Sequence, residues 1–443
     1  MMSKKPDFCP EQIVFSFGVL SDWHVKLNPE PERDTRAKLS SALTQLQTLA
    51  AKEDPRGLAL LVAAGDLTHD GKAEEIELLR DTMTSVFPFD RSAFIYVAGN
   101  HDRHNSACNE EYHRVFGSMI EGMYDALSSA PDGIFGGNRH YVVGGRHFIT
   151  LDPGKYSKTE PNTFIESTKK WLDDTLAHIT AAQPDAYVYV ITHLLIQDTC
   201  YGSSRGYFYA TEDVTFILKK YSQVITFGGH LHYPLNDERA IMQTDFTSME
   251  TATLSDMLID GFDCANVRKG TKMVNNRAFA QGLLVQVDAG GNLRIKRLDF
   301  WKGAEIGEPW LLDAPKADRS HLNRYTAARG RDGQRPTLAG KVDVAFAEFE
   351  EGIQGLRLTL DAAISPGGWV RKYAVTVTDR VNGETVCEMR YMSDFYRYPT
   401  PESVPQRIEI PMPGVARGTY AVSVTAFDCW ERESEPIFGE IDG

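Results

Sequence analysis

The 443-residue sequence has few of the features that mark secreted or membrane-spanning proteins. Its six cysteines include no C-x-x-C pair, which is typical of free thiols in a reducing compartment rather than of a disulfide framework. No apolar run reaches the roughly 18 residues that a membrane helix needs. The apolar stretch near the N-terminus is interrupted by Ser16 and has no small-residue cleavage site. We therefore expect a cytoplasmic protein without a signal peptide and without a membrane partner.

The sequence also lacks an excess of positive charge. It has 47 Lys and Arg residues against 61 Asp and Glu residues, a formal net charge of -14. Proteins that bind long nucleic acids or anionic lipids need basic surfaces, so both partners are disfavoured. Internal repeats and low-complexity tracts are absent, and 42% hydrophobic residues are typical of a folded globular protein.

Residues 13–299 alternate between short apolar runs and amphipathic stretches. The expected strands are the runs "IVFSFGVL", "LALLVAAG", "AFIYVAG", "HYVVGGRHFITLD", "AYVYVITH" and "VITFGGH". The expected helices are "RAKLSSALTQLQTLAAK", "KAEEIELLRDTMTSVF" and "TFIESTKKWLDDTLAHI", in which leucines and other apolar residues recur every three or four positions. This alternation predicts an α/β architecture with buried sheets.

The pattern changes twice towards the C-terminus. "QGLLVQVDAGGNLRIKRLDFW" predicts a β-hairpin that closes the first domain. Residues 301–340 lose periodicity and gain Pro, Gly and charge, which predicts a linker. Beyond them the helical pattern ends, and alternating runs with turn signals such as Asn-Gly predict an antiparallel β-sandwich. We therefore expect a catalytic domain at 12–300, a linker at 301–340 and a β-sandwich at 341–443.

Polar residues that bind metals well follow five of the predicted strands. In "GVLSDWHV" the first strand ends two residues before Asp22, and His24 follows at the i+2 position, which points the same way on an extended segment. D-x-H alone is a weak signal. The other blocks are "AAGDLTHDG", "VAGNHD", "VITH" and "FGGHLH". In open α/β sheets, ligands bind beyond the carboxyl ends of the strands, where all five blocks lie.

These blocks together supply mixed oxygen and imidazole donors. Such donors suit Mn, Fe, Zn, Ni or Co better than Ca. The candidate ligands are Asp22, His24, Asp66, Asn100, His193, His230 and His232. Seven ligands exceed the usual set for one ion but suffice for two ions that share a bridging carboxylate, which can generate a hydroxide nucleophile near neutral pH.

The ordered blocks D-x-H, G-D, G-N-H-D, H and G-H-x-H resemble those of the calcineurin-like metallophosphoesterases, over roughly residues 15–235. The resemblance implies an α/β/β/α sandwich of two mixed sheets with a dimetal site at the sheet ends. Asp22, His24 and His232 would then hold one metal, and Asp66 would bridge. Asn100, His193 and His230 would hold the second metal.

The same resemblance gives roles to the residues of the third block. His101 would sit over the site, donate to the phosphate or protonate the leaving oxygen, and Asn100 would also contact substrate. Asp102 would orient His101 and support its charge.

Two details bear on the subfamily. "GDLTHDG" is similar to the branch that contains cyclic-nucleotide and glycerophosphodiester phosphodiesterases, and it lacks the Asp-Arg-Gly of Ser/Thr protein phosphatases. The fourth block, however, is "THLLIQD" rather than the His-His-Pro common in that branch. The C-terminal stretch "GTYAVSVTAFDCWERESEP" resembles a fibronectin type III or immunoglobulin-like module.

Further residues near the motifs are candidates for substrate contacts. Arg205, in "QDTCYGSSRGYFYA", is a candidate for pairing with a phosphate, and Tyr201, Tyr207 or Phe208 for stacking. An ordinary flexible loop explains this stretch equally well. His69, His104 and His113 are more simply explained as solvated histidines than as ligands, although His69 and His104 lie near the motif loops.

The sequence therefore predicts a metal-dependent hydrolase. It would cleave a small phosphodiester or phosphomonoester by attack of a dimetal-bound hydroxide on phosphorus. The alternative is a catalytically inert binding or scaffold protein that uses its C-terminal sandwich for recognition. Oligomeric state does not follow from the sequence.

Overall fold

The architecture was obtained from a computed structural model. It describes residues 8–29, 34–105, 111–112, 114–116, 125–130, 137–206, 210–211, 213–260, 263–267 and 277–443. The chain divides into two compact units. The first comprises Met1–Leu235, Arg239–Leu258 and Asn275–Ala327, and the second comprises Asn236–Glu238, Ile259–Val274 and Ala328–Gly443. Cys108, His113, Tyr207 and Phe208 lie outside the described residues.

The strands of the first unit are β1 to β16. They span Ile13–Leu20, Leu60–Ala64, Ala93–Val97, Asp125–Ser129, Arg139–Val143, Arg146–Leu151, Val188–Thr192, Leu195–Ile196, Ala210–Thr211, Val224–Gly228, Ile241–Gln243, Thr247–Glu250, Gln281–Asp288, Leu293–Asp299, Ala304–Glu305 and Trp310–Leu312.

The helices and the remaining strands complete the secondary structure. The α-helices α1 to α5 span Thr35–Glu53, Ala73–Thr84, Glu166–Ala182, Thr215–Leu218 and Ala328–Asp332. Short 3-10 helices lie at Pro10–Gln12, Asp102–His104, Glu238–Ala240, Ser320–Leu322, Glu350–Gly352, Phe395–Arg397 and Pro401–Ser403. Strands β17 to β23 of the second unit span Asp343–Glu348, Gln354–Asp361, Val370–Asp379, Thr385–Met392, Arg407–Pro413, Tyr420–Asp428 and Ile437–Ile441.

Two seven-stranded sheets form the frame of the first unit. One has the order β15-β14-β13-β1-β2-β3, with β16 paired to β14, and the other has the order β11-β12-β10-β7-β6-β5-β4. In the first sheet β1, β2 and β3 are parallel, and in the second β6, β7, β10 and β12 are parallel. Because neighbouring parallel strands end at the same edge of a sheet, the residues that follow these strands lie close together at that edge.

An aromatic core joins the two sheets. The ring of Phe17 on β1 lies 5.4 Å from that of Phe148 on β6, 5.0 Å from Tyr189 on β7 and 6.2 Å from Phe227 on β10, measured between centroids. All four side chains are buried. Alternate residues of β1 therefore face the second sheet, as the period of two in a strand requires.

Helices cover the outer face of each sheet. The leucines of α1, at positions 39, 43 and 46, are fully buried in one cluster with the apolar side of α2 and residues of β2. Leu172, Leu176 and Ile179 of α3 pack in a second cluster with β6 and β7. Burial of each leucine contributes about 2 kcal/mol. The first unit is thus the predicted α/β/β/α sandwich.

The second unit is dominated by two antiparallel sheets. One has the order β17-β18-β21 and the other β20-β19-β22-β23. Alternating residues of these strands form one buried core that includes Leu358, Tyr373, Val375 and Val424. The C-terminal region is therefore all-β in character, as predicted.

The segment 301–340, which the sequence pattern predicts to be a linker, contains two short strands. Strands β15 and β16 pair with β14 and extend the first sheet, and Trp310 and Leu312 of β16 are buried. Strands of two and three residues are too short to give a periodic signal, so the sequence pattern did not reveal them. The domain boundaries themselves stay a prediction.

Two further expectations concern the described part of the chain. Among the described residues, Cys9, Cys200, Cys264, Cys387 and Cys429 form no disulfide. Among the described residues, no helix combines the length and the apolarity that crossing a membrane requires.

Candidate metal centre

The seven predicted ligands converge at the carboxyl ends of the parallel strands. Asp22 and Asp66 lie two residues beyond β1 and β2, and Asn100 lies three beyond β3. From the second sheet, His193 directly follows β7 and His230 lies two residues beyond β10. Because the two sheets pack against each other, they bring together five chain segments that are remote in sequence.

Backbone hydrogen bonds tie these segments together. The amide of Asp22 donates to the carbonyl of Gly65 at 2.9 Å, and the amide of Gly229 donates to the carbonyl of His193 at 2.9 Å. The amide of His230 donates to a carboxylate oxygen of Asp22 at 3.0 Å, which links the two sheets. The ligand positions are thus fixed by main-chain contacts as well as by side-chain packing.

The backbone at the centre has an unusual conformation. Five of the seven residues have positive φ, with values of 54° at Asp22, 46° at His24, 52° at Asp66, 70° at His230 and 56° at His232. Non-glycine residues seldom adopt this left-handed region, and such residues cluster at functional sites.

Glycines keep space for the ligands. A Cβ atom added to Gly99 would overlap the carboxylate and the amide of Asp66, and one added to Gly229 would overlap Ser21 and Asp22. The glycines that precede the ligand residues are therefore required by close approach of backbone and side chains.

The ligand atoms form two groups that share one carboxylate. The first group is Asp22, His24, Asp66 and His232, and the second is Asp66, His193 and His230. Oδ2 of Asp66 lies 3.6 Å from Nε2 of His24 and 3.3 Å from Nε2 of His193. This carboxylate is therefore placed between two sets of nitrogen donors.

The remaining distances define the two groups. In the first, Nε2 of His24 lies 3.2 Å from Nε2 of His232. In the second, Nε2 of His193 lies 3.3 Å from Nδ1 of His230 and 3.1 Å from Oδ1 of Asn100. Asn100 thus joins the second group, where the sequence analysis placed it.

The tautomers of two histidines indicate that a cation belongs here. Nδ1 of His232 lies 2.6 Å from the carbonyl oxygen of Asp256, and Nδ1 of His193 lies 2.9 Å from that of Ala64. Each Nδ1 must donate, so in the neutral ring Nε2 carries a lone pair. Yet Nε2 of His232 faces a carboxylate oxygen of Asp22, and Nε2 of His193 faces one of Asp66. Two acceptors are stable together only with a proton or a metal cation between them, so the donor set fits a metal.

The pKa values follow from the same crowding. Burial alone would raise the pKa of Asp22, but His232 and His193 outweigh it and lower that pKa to about 2. Burial would lower the pKa of His193, but Asp66 outweighs it and raises the pKa to about 10. Burial, with His193, lowers the pKa of His230 to about 3. Buried ionised carboxylates beside imidazole nitrogens attract cations.

The ring of His101 lies next to the first group. Its centroid is 4.5 Å from that of His24, and its amide donates to Oδ1 of Asp66 at 2.8 Å. Nδ1 of His101 lies 2.7 Å from the carbonyl oxygen of His69. The ring of His101 is therefore held by a backbone carbonyl at the edge of the candidate metal centre.

The carboxylate of Asp102 makes its hydrogen bonds to the motif loops. It was expected to orient His101, but the contact to the ring of His101 comes from the His69 carbonyl. The fully buried carboxylate of Asp102 instead accepts hydrogen bonds from the amides of Leu67, Thr68 and Gly99 and the hydroxyls of Thr68 and Tyr112. Asp102 thus connects the second and third motif loops. A direct catalytic role for Asp102 stays a prediction.

Three other candidates have defined places. His69 and His104 flank His101, with ring centroids 5.2 Å and 4.7 Å from it. Arg205 donates to the hydroxyl of Tyr233, the residue after His232. Its role in substrate binding stays a prediction.

Some supporting residues were not found from the sequence. The hydroxyl of Thr253 donates to the carbonyl of Asp22 at 3.1 Å, and Asp256 holds His232 as described above. The hydroxyl of Ser21 donates to Asp22 at 2.5 Å. The stretch "TATLSD" has no motif that would reveal this role, since its contribution depends on a long-range backbone contact.

Comparison with known proteins agrees with this geometry. Residues 15–234 match the family model described as Calcineurin-like phosphoesterase. This segment is therefore a calcineurin-like phosphoesterase domain, and the resemblance stated above is confirmed for it. No curated protein matched the chain.

Several solved structures are similar to the chain at low identity. Purple acid phosphatase PPD1 from yellow lupin (Lupinus luteus) seeds is 12% identical with a TM-score of 0.43, over 70% of this chain and 56% of that one. A 5'-nucleotidase from Candida albicans is 12% identical with a TM-score of 0.35, over 78% and 61%. The sulfate thiohydrolase SoxB from Thermus thermophilus is 13% identical with a TM-score of 0.38, over 77% and 65%. At these scores the domain assignment depends on the family match alone.

Proposed function

We propose that the protein is a metal-dependent phosphoesterase that hydrolyses a small phosphodiester or phosphomonoester. The observation that carries this proposal is the position of Asp66, whose carboxylate belongs to both groups of ligand atoms. A shared carboxylate between two donor sets is the arrangement that two-metal hydrolases need.

The donor sets assign the residues to two ions. Asp22, His24 and His232 would hold the first ion, and Asn100, His193 and His230 the second, with Asp66 shared. Nitrogen and oxygen donors favour Mn, Fe, Zn, Ni or Co. When bound, such ions supply Lewis acidity that lowers the pKa of water and offsets negative charge on phosphoryl oxygens.

His101 would serve the leaving group. Its Nδ1 meets the carbonyl of His69, which fixes the ring and leaves Nε2 as the nitrogen that exchanges a proton with substrate. We assign to it donation to a phosphoryl oxygen or protonation of the leaving oxygen. Arg205, with Asn100, would bind the substrate phosphate.

We also propose that the second unit is a fibronectin type III-like or immunoglobulin-like module. Its sheets of three and four antiparallel strands match such a sandwich. In addition, the hydroxyl of Tyr420, at the start of β22, donates to the carbonyl of Ala416 at 3.0 Å. This contact resembles the tyrosine corner of such domains and supports the proposal. We further propose that the enzyme acts in the cytoplasm and not on long nucleic acids.

Hydrolysis of chromogenic bis- and mono-nitrophenyl phosphate tests the function. The wild-type protein, freed of metal and then supplied with Mn, Zn or Fe, should hydrolyse at least one substrate, and the ratio of rates separates diesterase from monoesterase. Asp66→Ala should be inactive. Asp81→Ala, which removes an exposed carboxylate on α2, should match wild type. No hydrolysis with any metal would favour the inert binding protein.

A further inference from the structure

The second unit contains a cavity of about 970 Å³ at one end of its two sheets. Tyr373 on β19 and Tyr391 on β20 are directly paired across the four-stranded sheet and line one wall. The end of β18 and the start of β21 contribute from the three-stranded sheet, and the loops 362–369 and 393–406 complete the lining. This volume is at the upper end of the range for small-molecule sites.

Five aromatic residues are part of this lining, beside alanine, isoleucine, valine and proline residues. Besides Tyr373 and Tyr391, the cavity is lined by Trp369, Phe395 and Tyr398. Trp369, Tyr373 and Phe395 are buried, and Tyr391 and Tyr398 are half-buried. Aromatic faces carry negative potential and attract organic cations.

The charged groups of the lining are mainly acidic. They are Asp361, Asp394, Glu402 and Glu409, and among the described residues Arg407 is the one basic group of the lining. Within the three-stranded sheet, Arg407 forms an ion pair with Asp343 at 2.7 Å. Glu409 forms an ion pair with Arg357 at 3.0 Å. The carboxylates of Asp361, Asp394 and Glu402 remain, and the last two lie in the loop 393–406.

Asp394 places negative charge beside the aromatic wall. Burial raises the pKa of Tyr391, and the charge of Asp394 raises it further. The same two causes raise the pKa of Tyr398. Arg397, which is not among the lining residues, forms an ion pair with Asp394 at 3.4 Å and partly offsets its effect on both tyrosines. The lining of the cavity thus contains five aromatic residues together with carboxylates.

We propose that this cavity binds a small organic cation, an ammonium group carried on a compact apolar body. The aromatic rings would surround the apolar body, and Asp394 and Glu402 would face the positive charge. A neutral ligand of the same shape would gain the apolar contacts but not the attraction to the rings and the carboxylates. This inference does not depend on the phosphoesterase activity.

Isothermal titration of the full-length protein with choline tests the proposal. The comparison ligand is 3,3-dimethylbutan-1-ol, a neutral molecule of the same shape. We expect saturable binding of choline and at least about tenfold weaker binding of the alcohol. The variant Asp394→Asn with Glu402→Gln should weaken choline binding by about tenfold or more. Glu440→Gln, which removes an exposed carboxylate of β23, should leave it unchanged.

Three results would overturn the proposal. The first is no choline binding by wild-type protein, and the second is equal binding of choline and the alcohol. The third is unchanged choline binding in the double variant. If the double variant melts at a lower temperature than wild type, choline binding is measured on the single variant Glu402→Gln instead. Glu402 is exposed, so this variant should fold normally and still bind choline more weakly. If glucose or cellobiose bound and choline did not, the cavity would be a saccharide site and the proposal of a cation site would be wrong.

Discussion

Oδ1 of Asp22 lies 2.9 Å from Nε2 of His232, while Nδ1 of the same imidazole is held by the carbonyl of Asp256. The carboxylate and the nitrogen lone pair face each other within a site from which solvent is largely excluded. Such a contact requires positive charge between the two atoms.

Removal of the shared carboxylate should empty both metal positions. In Asp66→Ala we expect loss of both ions, because Asp66 belongs to both groups, whereas His230→Ala should lose the second ion and keep the first. Turnover should be abolished in both variants. Elemental analysis after loading with Mn measures the stoichiometry, with Asp81→Ala as the control. Two ions per chain in Asp66→Ala would contradict the assignment.

Replacement of His101 should separate metal binding from turnover. His101→Ala should retain its ions, because its side chain is not among the seven ligands, while kcat should fall by about 10²- to 10⁴-fold, the usual contribution of general acid catalysis. Metal content and kcat are measured on the same preparation. Wild-type turnover in this variant would refute the role.

The loop that carries Thr253 should set the affinity of the first ion. Thr253→Val removes the hydroxyl that donates to the carbonyl of Asp22, and we expect about tenfold weaker Mn binding. Turnover should recover at saturating Mn. Thr226→Val is a matched control, since its buried hydroxyl donates to the hydroxyl of Ser248 at 2.7 Å and not to a candidate ligand. Equal loss of affinity in the two variants would show a general effect of buried hydroxyls instead.

Lys38 should give the stability of the first unit a distinct pH dependence. Its Nζ donates to the carbonyl of Ser255 at 3.0 Å, and burial lowers its pKa from 10.5 to about 8. Between these values the unfolded chain binds more protons than the folded one, so stability rises with pH by up to ~1.4 kcal/mol per unit. Below pH 8 both states are protonated and this contribution to the slope vanishes.

Urea denaturation at several pH values measures the effect of Lys38. The free energy of unfolding of wild type, relative to that of Lys38→Met, should increase between about pH 8 and 10.5. Lys38→Met retains the apolar length of the side chain and has no titrating group. Parallel pH profiles for the two proteins would show that Lys38 titrates normally.

The strands of the first unit and the residues that follow them could be predicted because local signals were strong. The run Ile13–Leu20 is β1, residue for residue, and each motif block follows a strand as expected. The orientation of His101 could not be predicted, since it depends on a carbonyl 32 positions away in the sequence. Likewise, β16 is three residues long and gains its place by pairing with β14. Contacts of this kind depend on the fold and leave no periodic pattern.

The left-handed backbone at five of the candidate ligands has a consequence for the binding of metal ions. Each such residue costs of order 1 kcal/mol, which the sheets and helices around it must offset. The side chains are thereby preorganised, so that binding an ion requires little further ordering. Substitutions deep in the aromatic core, around Phe17, are therefore expected to relax these residues and weaken metal affinity well before they unfold the domain.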